Sequence, residues 1–206
     1  MAGDIPAVTA RTSLVLLGAG GSALEVVDLV AALNAAGGRF ELLAALDDDP
    51  ALHGTEIRDV PVVGPLRDAG RFADALFVPT LAGTAERRRA GAIAGTGLPD
   101  DRFAILVHPR ALVSERAWLS PGSVVLAFAV LGSGCRIGRH AFVQSHVVVH
   151  PGARVGEATV LASHVVLGAG AEVGSGCYVG AGATVGPRAR VEDGTVVPPG
   201  SALAAG

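Results

Sequence analysis

The sequence predicts two structural classes in one chain: an α/β Rossmann-like domain over residues 1–106 and an all-β left-handed parallel β-helix over residues 107–206. Three observations predict this division. The first half alternates strand and helix patterns around a glycine-rich turn, and the second half repeats every six residues without interruption. The composition, with 50% apolar residues, 4% aromatic residues and 29 glycines, favours an aliphatic core joined by many tight turns.

The first half has the alternating order of strands and helices that is typical of a small parallel sheet. Apolar runs predict strands at residues 13–17, 40–46, 60–63 and 76–78. Apolar residues at helical spacing predict helices at residues 23–33 and 85–94. Because about 105 residues are too few for a complete six-stranded dinucleotide fold, we expect a truncated Rossmann-like domain.

The second half consists of sixteen consecutive six-residue blocks from residue 111 to residue 206, and residues 105–110 are a candidate seventeenth. The third residue of every block is aliphatic, and the first is small or β-branched. An ordinary strand would repeat every two residues and would not impose a period of six. In a triangular coil of three blocks, equivalent residues of successive coils stack at about 4.8 Å, the spacing of paired strands. The first and third residues then face the interior of the prism.

The overall composition excludes several classes of function. A formal charge of −3, from 16 basic and 19 acidic residues, is too balanced for a general nucleic-acid binder. All basic residues are arginine, which excludes lysine chemistry. There is no run of about 18 apolar residues and no signal-peptide pattern, and the two cysteines form no CxxC pair. We expect a soluble cytoplasmic protein that binds neither nucleic acid nor membrane.

The glycine-rich turn follows the first predicted strand and precedes the first predicted helix. Its pattern, Gly18-x-Gly20-x-x-Ala23, fits the permissive dinucleotide fingerprint. Backbone amides at a helix N-terminus favour a diphosphate, and the domain is short for NAD, so we expect a different nucleotide diphosphate at Gly18, Gly20, Gly21 and Ser22. Acidic side chains at Asp47 and Asp48 end the second strand, where they are candidates for binding ribose hydroxyls. The alternatives are a tight turn without a ligand and a solvated acidic turn.

Histidines are the candidate bases, since imidazole is the usual general base near neutral pH. His150 occupies the fourth position of its block, and His140, His146 and His164 occupy the sixth, so all four are predicted to face outward. His146 and His164 are three blocks apart in the sequence, so they should stack in adjacent coils.

Two further groups of residues have predicted places in the repeat, and a third lies on a helix of the first half. One and two coils above His150 lie Gly168-Ala169-Gly170 and Gly186-Pro187-Arg188. The glycines would let a ligand run close to the backbone, and Arg188 could meet phosphates; the alternative is ordinary turns and a solvated arginine. Cys135 and Cys177 are predicted to be small core residues, and residues 87–89 (RRR) a solvated helix face.

The whole chain resembles the NeuD/PglD-type sugar acyltransferases of the hexapeptide-repeat superfamily. The segments that carry the resemblance are 16–21 (LLGAGG), 46–50 (LDDDP), 61–64 (PVVG), 87–89 (RRR), 108–109 (HP) and 113–114 (VS). The resemblance implies a small domain that holds a nucleotide-linked amino sugar and a homotrimer that binds acetyl-CoA between neighbouring β-helices. It also implies a histidine that deprotonates the acceptor amine or hydroxyl. With acetyl-CoA as the donor, the stacked residues above His150 become a candidate coenzyme path, with backbone contacts to the pantetheine arm and Arg188 near the phosphates; they are Gly168, Ala169, Gly170, Gly186 and Arg188.

The chain departs from the family pattern at the reaction centre. Gapless alignment of the blocks places Gln144 at the family's asparagine, Pro151 at its catalytic histidine and Gly152 at the acid that follows. Val160 stands where the family has a second histidine, associated with acetyl-CoA. Either His150 acts as the base through a local shift, or His146 or His164 does, or the chain is a silent trimeric scaffold that has lost the reaction.

A rival resemblance concerns γ-class carbonic anhydrases, whose first zinc-ligand segment is similar to residues 143–150 (VQSHVVVH). That enzyme needs three histidines around its metal. His146 and His150 lie roughly 13 Å apart along one strand, so His146, His150 and His164 could meet only across an interface. We therefore expect no metal and favour an acyl-CoA-dependent N- or O-acyltransferase that acts on a nucleotide-linked amino sugar.

Overall fold

The structure is a computed structural model that describes residues 11–81 and 86–205, without the side chains of residues 86–88. The front domain has a five-stranded sheet in the order β3-β4-β2-β1-β5, parallel except for β3 at its edge. Its elements are β1 (Thr12–Leu17), α1 (Gly21–Ala35), β2 (Phe40–Leu46), β3 (Glu56–Ile57), β4 (Val60–Gly64), β5 (Leu76–Pro79), α2 (Glu86–Gly95) and 3₁₀ turns at Pro50–Leu52, Leu66–Arg71 and Asp100–Arg102.

The four predicted strands are confirmed to within one residue at each end, and both predicted helices are found. The fifth strand, β3, is absent from the sequence prediction, because a two-residue strand has too few positions to show a pattern. It forms an antiparallel pair with β4, so the sheet is mixed rather than wholly parallel.

The second half is a left-handed parallel β-helix with one two-residue strand in each block. The described residues contain seventeen such strands, so residues 105–110 do form a coil segment. They are β6 (Leu106–Val107), β7 (Leu112–Val113), β8 (Trp118–Leu119), β9 (Val124–Val125), β10 (Val130–Leu131), β11 (Arg136–Ile137), β12 (Phe142–Val143), β13 (Val148–Val149), β14 (Arg154–Val155), β15 (Val160–Leu161), β16 (Val166–Leu167), β17 (Glu172–Val173), β18 (Tyr178–Val179), β19 (Thr184–Val185), β20 (Arg190–Val191), β21 (Val196–Val197) and β22 (Ala202–Leu203).

These strands form three parallel sheets, one on each side of the prism. Paired residues lie three blocks apart in the sequence, as in the pairing of Val130 with Val148. We call the sheet β6-β9-β12-β15-β18-β21 the covered face, β8-β11-β14-β17-β20 the charged face and β7-β10-β13-β16-β19-β22 the apolar face. First and third positions of the blocks supply the buried core, including Cys135 and Cys177, which are free thiols with no exposed surface. Their predicted role as core residues is confirmed.

Helix α1 packs on the covered face and joins the two parts of the chain through one core. Val26, Leu29 and Val30 of α1 share a buried cluster with Phe142 and Val160, which point away from the prism interior. The front domain therefore buries the outward row of this face from Leu106 to Val160, whereas Val196 at the far end of the row is 47% exposed. The strand β6 spans the proposed division at residue 106, and the domain boundary itself stays a prediction.

A second contact between the domains buries two side chains, and the prediction for one of them, Arg89, is wrong. His140 points away from the prism interior, as the register predicts, but it is only 5% exposed because the ring of Phe103 meets it edge-on at 4.4 Å. Arg89, predicted on a solvated face, is 4% exposed. Its guanidinium donates to the backbone oxygens of Pro79, Leu81 and His140. The side chains of residues 87 and 88 lie outside the described residues. Within the described ranges, no helix is long and apolar enough to cross a membrane.

Candidate functional site

The glycine-rich loop between β1 and α1 contains glycines of two kinds. Gly18 has φ +113°, and a Cβ there would lie 2.8 Å from the backbone nitrogen of Leu81, so the fold itself requires glycine. At Gly20 and Gly21 a Cβ would meet nothing within 4 Å. Gly20 also has an ordinary φ of −86°. Packing therefore does not explain glycine at these two positions, which leave the start of α1 open to an approaching group.

The start of α1 favours an anion for general reasons. The first N–H groups of a helix have no acceptor within it, and the helix dipole is positive at this end. Ser22, which we predicted as part of the phosphate site, is 8% exposed. Its backbone amide remains a candidate donor.

The acidic run after β2 ties loops together. The Ala19 N–H donates to Oδ2 of Asp47 (2.7 Å), and the Asp49 N–H donates to its Oδ1 (3.0 Å). The Leu66 N–H donates to Oδ1 of Asp48 (2.9 Å). The sequence suggests ribose binding or a solvated acidic turn, and neither interpretation includes these bonds. Two of the three donors belong to distant segments, 28 and 18 residues away. A role for Asp47 and Asp48 in ribose binding stays a prediction.

A cleft of about 180 Å³ lies between α1 and the corner of the β-helix that joins the covered and apolar faces. Its lining consists of Glu25, Asp28, Leu29, His108, Leu126, Ala127 and Ser145. Sequence reasoning missed Glu25, Asp28 and His108 as site residues. The available signal was weak: Glu25 and Asp28 are spaced by three on a predicted helix, which places them on one side of it.

Glu25 forms the contact between α1 and this corner. Gln144 donates from Nε2 to Oε2 of Glu25 (3.3 Å), and Oε1 of Gln144 accepts the Ser163 N–H (3.0 Å). Burial raises the pKa of Glu25, and the hydrogen bond from Gln144 opposes that rise. The result is a half-buried carboxyl group that binds a proton more readily than usual.

His108 presents a neutral imidazole to the same cleft. Its Nδ1 accepts the Arg110 N–H (3.0 Å), and burial together with the charge of Arg110 lowers its pKa. Because Nδ1 is the acceptor, Nε2 carries the proton. The cleft therefore offers both a hydrogen-bond donor and a carboxyl acceptor to a polar ligand.

The predicted stacking of His146 and His164 is confirmed, and the stack is longer than expected. Their ring centroids are 4.8 Å apart at 12°, and Phe128 stacks on His146 at 4.9 Å and 25°. The guanidinium of Arg110 lies 4.4 Å from the Phe128 centroid. We call Arg110, Phe128, His146 and His164 the corner ladder. Its two histidines and Phe128 are exposed and lie on the same corner as Gln144.

His150 lies at the other end of strand β13, on the corner between the apolar and charged faces. It is exposed, as predicted. The structure therefore brings Gln144, His146 and His164 together on one corner and leaves His150 on the next. Among the described residues, no group of three or more His, Cys, Asp or Glu side chains could hold a metal ion.

The proposed coenzyme path stacks above His150 as the register predicts. At Gly168 a Cβ would lie 2.5 Å from the Pro187 nitrogen, and at Gly186 it would lie 2.9 Å from the Leu203 oxygen. Coil packing therefore explains both glycines without a ligand. Ala169 and Arg188 are exposed, and a Cβ at Gly170 would lie 3.5 Å from Cγ of Arg188. The coenzyme contacts of these residues stay a prediction.

Comparison with known proteins identifies similar structures. No protein-family model matches the chain, and no curated protein matches it significantly. PerB from Caulobacter crescentus, solved with CoA and GDP-perosamine, is similar with a TM-score of 0.58 and 27% identity, over 94% of this chain and 92% of PerB. A histidine-to-asparagine mutant of perosamine N-acetyltransferase from the same organism, also with CoA and GDP-perosamine, gives a TM-score of 0.55 and 25% identity, over 95% and 94%.

A third similar structure supports the fold alone. The acetyltransferase domain of PglB from Neisseria gonorrhoeae, in complex with acetyl coenzyme A, gives a TM-score of 0.51 and 23% identity, over 95% of this chain and 97% of the other. In all three comparisons the match extends over the front domain and the β-helix together. The predicted resemblance is thus confirmed: across nearly its whole length, the chain is similar in structure to sugar acetyltransferases of the hexapeptide-repeat family.

Proposed function

We propose that this protein is an acyl-CoA-dependent acyltransferase, with acetyl-CoA as the expected donor, that acts on an amino or hydroxyl group of a nucleotide-linked amino sugar. The observation that carries the proposal is the match to PerB, a protein solved with CoA and GDP-perosamine, over 94% of this chain. Such a match covers both the domain proposed to bind the nucleotide sugar and the β-helix proposed to bind the donor.

The front domain supplies the proposed nucleotide site. The diphosphate would bind the backbone amides of Gly20, Gly21 and Ser22 at the start of α1, where the loop is open. Glu25 follows Gly21 by one helical turn, about 6 Å along the axis. A sugar attached to that diphosphate would thus reach the cleft lined by Glu25, His108 and Ser145. This arrangement supports a single ligand that spans the loop and the cleft.

The proposed reaction is a transfer at the thioester carbonyl. The acceptor nitrogen or oxygen attacks the carbonyl carbon, the carbon–sulfur bond breaks, and the coenzyme leaves as its thiol. The acceptor's proton passes to a base, and the protonated base returns a proton to the departing sulfur; His150 is our first assignment for this base and His146 or His164 the alternatives. Backbone amides beside the thioester would stabilise the developing oxyanion. Gly168, Ala169, Gly170, Gly186 and Arg188 form the proposed coenzyme path.

We further propose that the protein is a homotrimer joined through the apolar face. Four successive residues in the outward row of this face are large and apolar, and Leu112 is 69% exposed; they are Leu112, Val130, Val148 and Val166, and Thr184 and Ala202 complete the row. The outward row of the charged face instead contains an Arg190–Glu172 ion pair of 2.8 Å. The apolar face lies between the corner of Gln144 and the corner of His150. If this face packs against a neighbouring subunit, both corners would lie at the edges of the subunit contact, beside a groove.

Val130→Arg is expected to reduce the oligomer to a monomer, because it places a charge between the apolar side chains of Leu112 and Val148 in this row. Mass photometry or sedimentation would measure the change. Trp118→Arg is the matched control, since Trp118 has the equivalent outward position on the charged face and is 67% exposed. An unchanged mass for Val130→Arg, or equal loss in both variants, contradicts this interface.

Gly20→Val is expected to weaken nucleotide-sugar binding at least about tenfold, because a branched side chain would fill the open side of the loop without disturbing internal packing. Calorimetry with nucleotide sugars and acetyl-CoA would measure affinity, and thiol release would measure transfer. Gly91→Val on α2 is the control, because a Cβ there also meets nothing within 4 Å. A folded wild-type trimer that binds no acetyl-CoA and shows no turnover on a broad acceptor panel would favour the silent scaffold.

A further inference from the structure

The corner ladder ends on an open ring face. The stack runs from Arg110 through Phe128 and His146 to His164, with ring spacings of 4.9 and 4.8 Å. The next position on the corner, one coil beyond His164, is Gly182. It is exposed, and a Cβ there would meet nothing within 4 Å. One face of the His164 imidazole therefore has no side chain of the following coil over it.

The backbone holds this open position at the same spacing as the ladder. The N–H groups of His146, His164 and Gly182 donate to the carbonyls of Ala127, Ser145 and Ser163, at 3.2, 3.2 and 2.9 Å. All three donor residues have a left-handed conformation, with φ values of 63°, 63° and 70°. The backbone of the corner thus continues in the same geometry beyond His164, whereas the series of rings ends before Gly182.

Neither packing nor metal binding accounts for the ladder. The core of the prism is made by first and third positions of the blocks, whereas the ladder occupies exposed sixth positions. Imidazole nitrogens hold their lone pairs in the plane of the ring, so two rings inclined by 12° face to face do not aim them at an ion between the rings. What the ladder presents beyond His164 is the face of an aromatic ring.

We propose that the open face of His164, above Gly182, is a stacking subsite for a nucleobase. The proposal rests on the proposed function, in which both substrates are nucleotides, and their shared chemistry is a planar heteroaromatic base. Stacking on aromatic side chains tolerates different bases because every base has a π face. Ser163 precedes His164 on the same corner and hydrogen-bonds Gln144, so polar groups adjoin the ring for contacts to the edge of the base.

Gly182→His tests the subsite by completing the series. Histidine already adopts this backbone conformation at residues 146 and 164, so the new imidazole fits the corner and fills the space of the base. The matched control is Gly200→His, one coil further, where φ is 69° and the added ring lies beyond the proposed base. We expect Gly182→His to weaken nucleotide binding by at least about fivefold, the lower end of the range for one stacked base, and Gly200→His to leave it unchanged.

Imidazole NMR spectra give a readout that does not depend on activity. The probes are 3′-phosphoadenosine 5′-diphosphate, which is the nucleotide part of coenzyme A, and UDP and GDP for the sugar nucleotide. A stacked base should shift the ring protons of His164 more than those of His146, and His164→Ala assigns the signals. A shift with the adenine probe alone assigns the subsite to the acyl donor, and a shift with UDP or GDP alone assigns it to the acceptor.

Failure of this proposal can be separated from failure of the proposed function. If acetyl transfer and all affinities are the same in wild type and Gly182→His, the subsite is wrong and the acyltransferase stands. If the His164 signals move and Gly182→His weakens binding in a protein without transfer activity, the subsite stands and the acyltransferase is wrong. If no probe shifts His164 or binds at millimolar concentration, the subsite is wrong.

Discussion

Replacement of His150 by alanine is expected to reduce acyl transfer by about 100- to 10,000-fold, the usual contribution of a general base. The His150 side chain is exposed on a corner turn, so its removal should leave the fold and the affinity for acetyl-CoA unchanged. The measurement is kcat/KM by thiol release, with circular dichroism and calorimetry on the same protein. The effect should lie in kcat rather than KM, since the base acts in the transition state.

The controls for this prediction are the other two candidate bases. His146→Ala and His164→Ala remove one imidazole each from the corner ladder, and we expect smaller losses of kcat in both. Undiminished transfer by His150→Ala would remove His150 from the site. If all three alanine variants remain active, the next candidate is Glu25, whose burial raises its pKa and whose carboxyl group lies in the cleft with His108. Glu25→Gln would then be expected to abolish transfer.

The architecture of the second half could be predicted from sequence because the six-residue pattern determines which side chains face the interior of the prism. A period of six fixes which side chains face the prism interior, and a coil of three blocks fixes which ones stack. Both the buried position of Cys135 and the contact between His146 and His164 follow from this register alone. The prediction needed no knowledge of any residue outside the repeat.

The same register could not say what covers an outward side chain. Phe142 and His140 both point away from the prism interior, and both are buried because the front domain packs on them. The Glu25–Gln144 bond spans 119 residues, and the Arg89–His140 bond spans 51. Contacts of this kind depend on how the front domain packs against the β-helix. Neither the strand and helix pattern of the first half nor the repeat of the second half carries information about that packing. Errors in the predicted site therefore concentrate at the contact between the domains.

In the glycine-rich loop, too, the sequence alone cannot show which glycines are required by the fold and which leave space for a ligand. In the sequence, Gly18 and Gly20 are equivalent members of one fingerprint. In the structure, Gly18 is required by the close approach of Leu81, whereas Gly20 faces open space. Only the second kind of glycine indicates that something outside the chain approaches it. The distinction depends on a segment about 60 residues away in the sequence, beyond any local motif.

Arg89→Ala is expected to lower the free energy of unfolding by about 3 kcal/mol or more, because it removes a buried charged donor from its acceptors. The guanidinium donates to backbone oxygens at the end of β5, at Leu81 and at His140, and it therefore ties α2 to the β-helix. Burial lowers the pKa of this guanidinium to about 9, because the charged form loses hydration when it is buried.

The size of the loss depends on two opposing contributions, which a second variant separates. Arg89→Met keeps much of the side-chain volume and no longer buries a charge, but it still leaves the carbonyls without their donor. We expect a loss smaller than that of Arg89→Ala yet larger than that of Arg67→Ala, an exposed arginine that serves as the control. Urea unfolding would measure all three. If Arg89→Met is as stable as wild type, the buried charge costs about as much as its hydrogen bonds contribute, and Arg89 is not what holds the domains together.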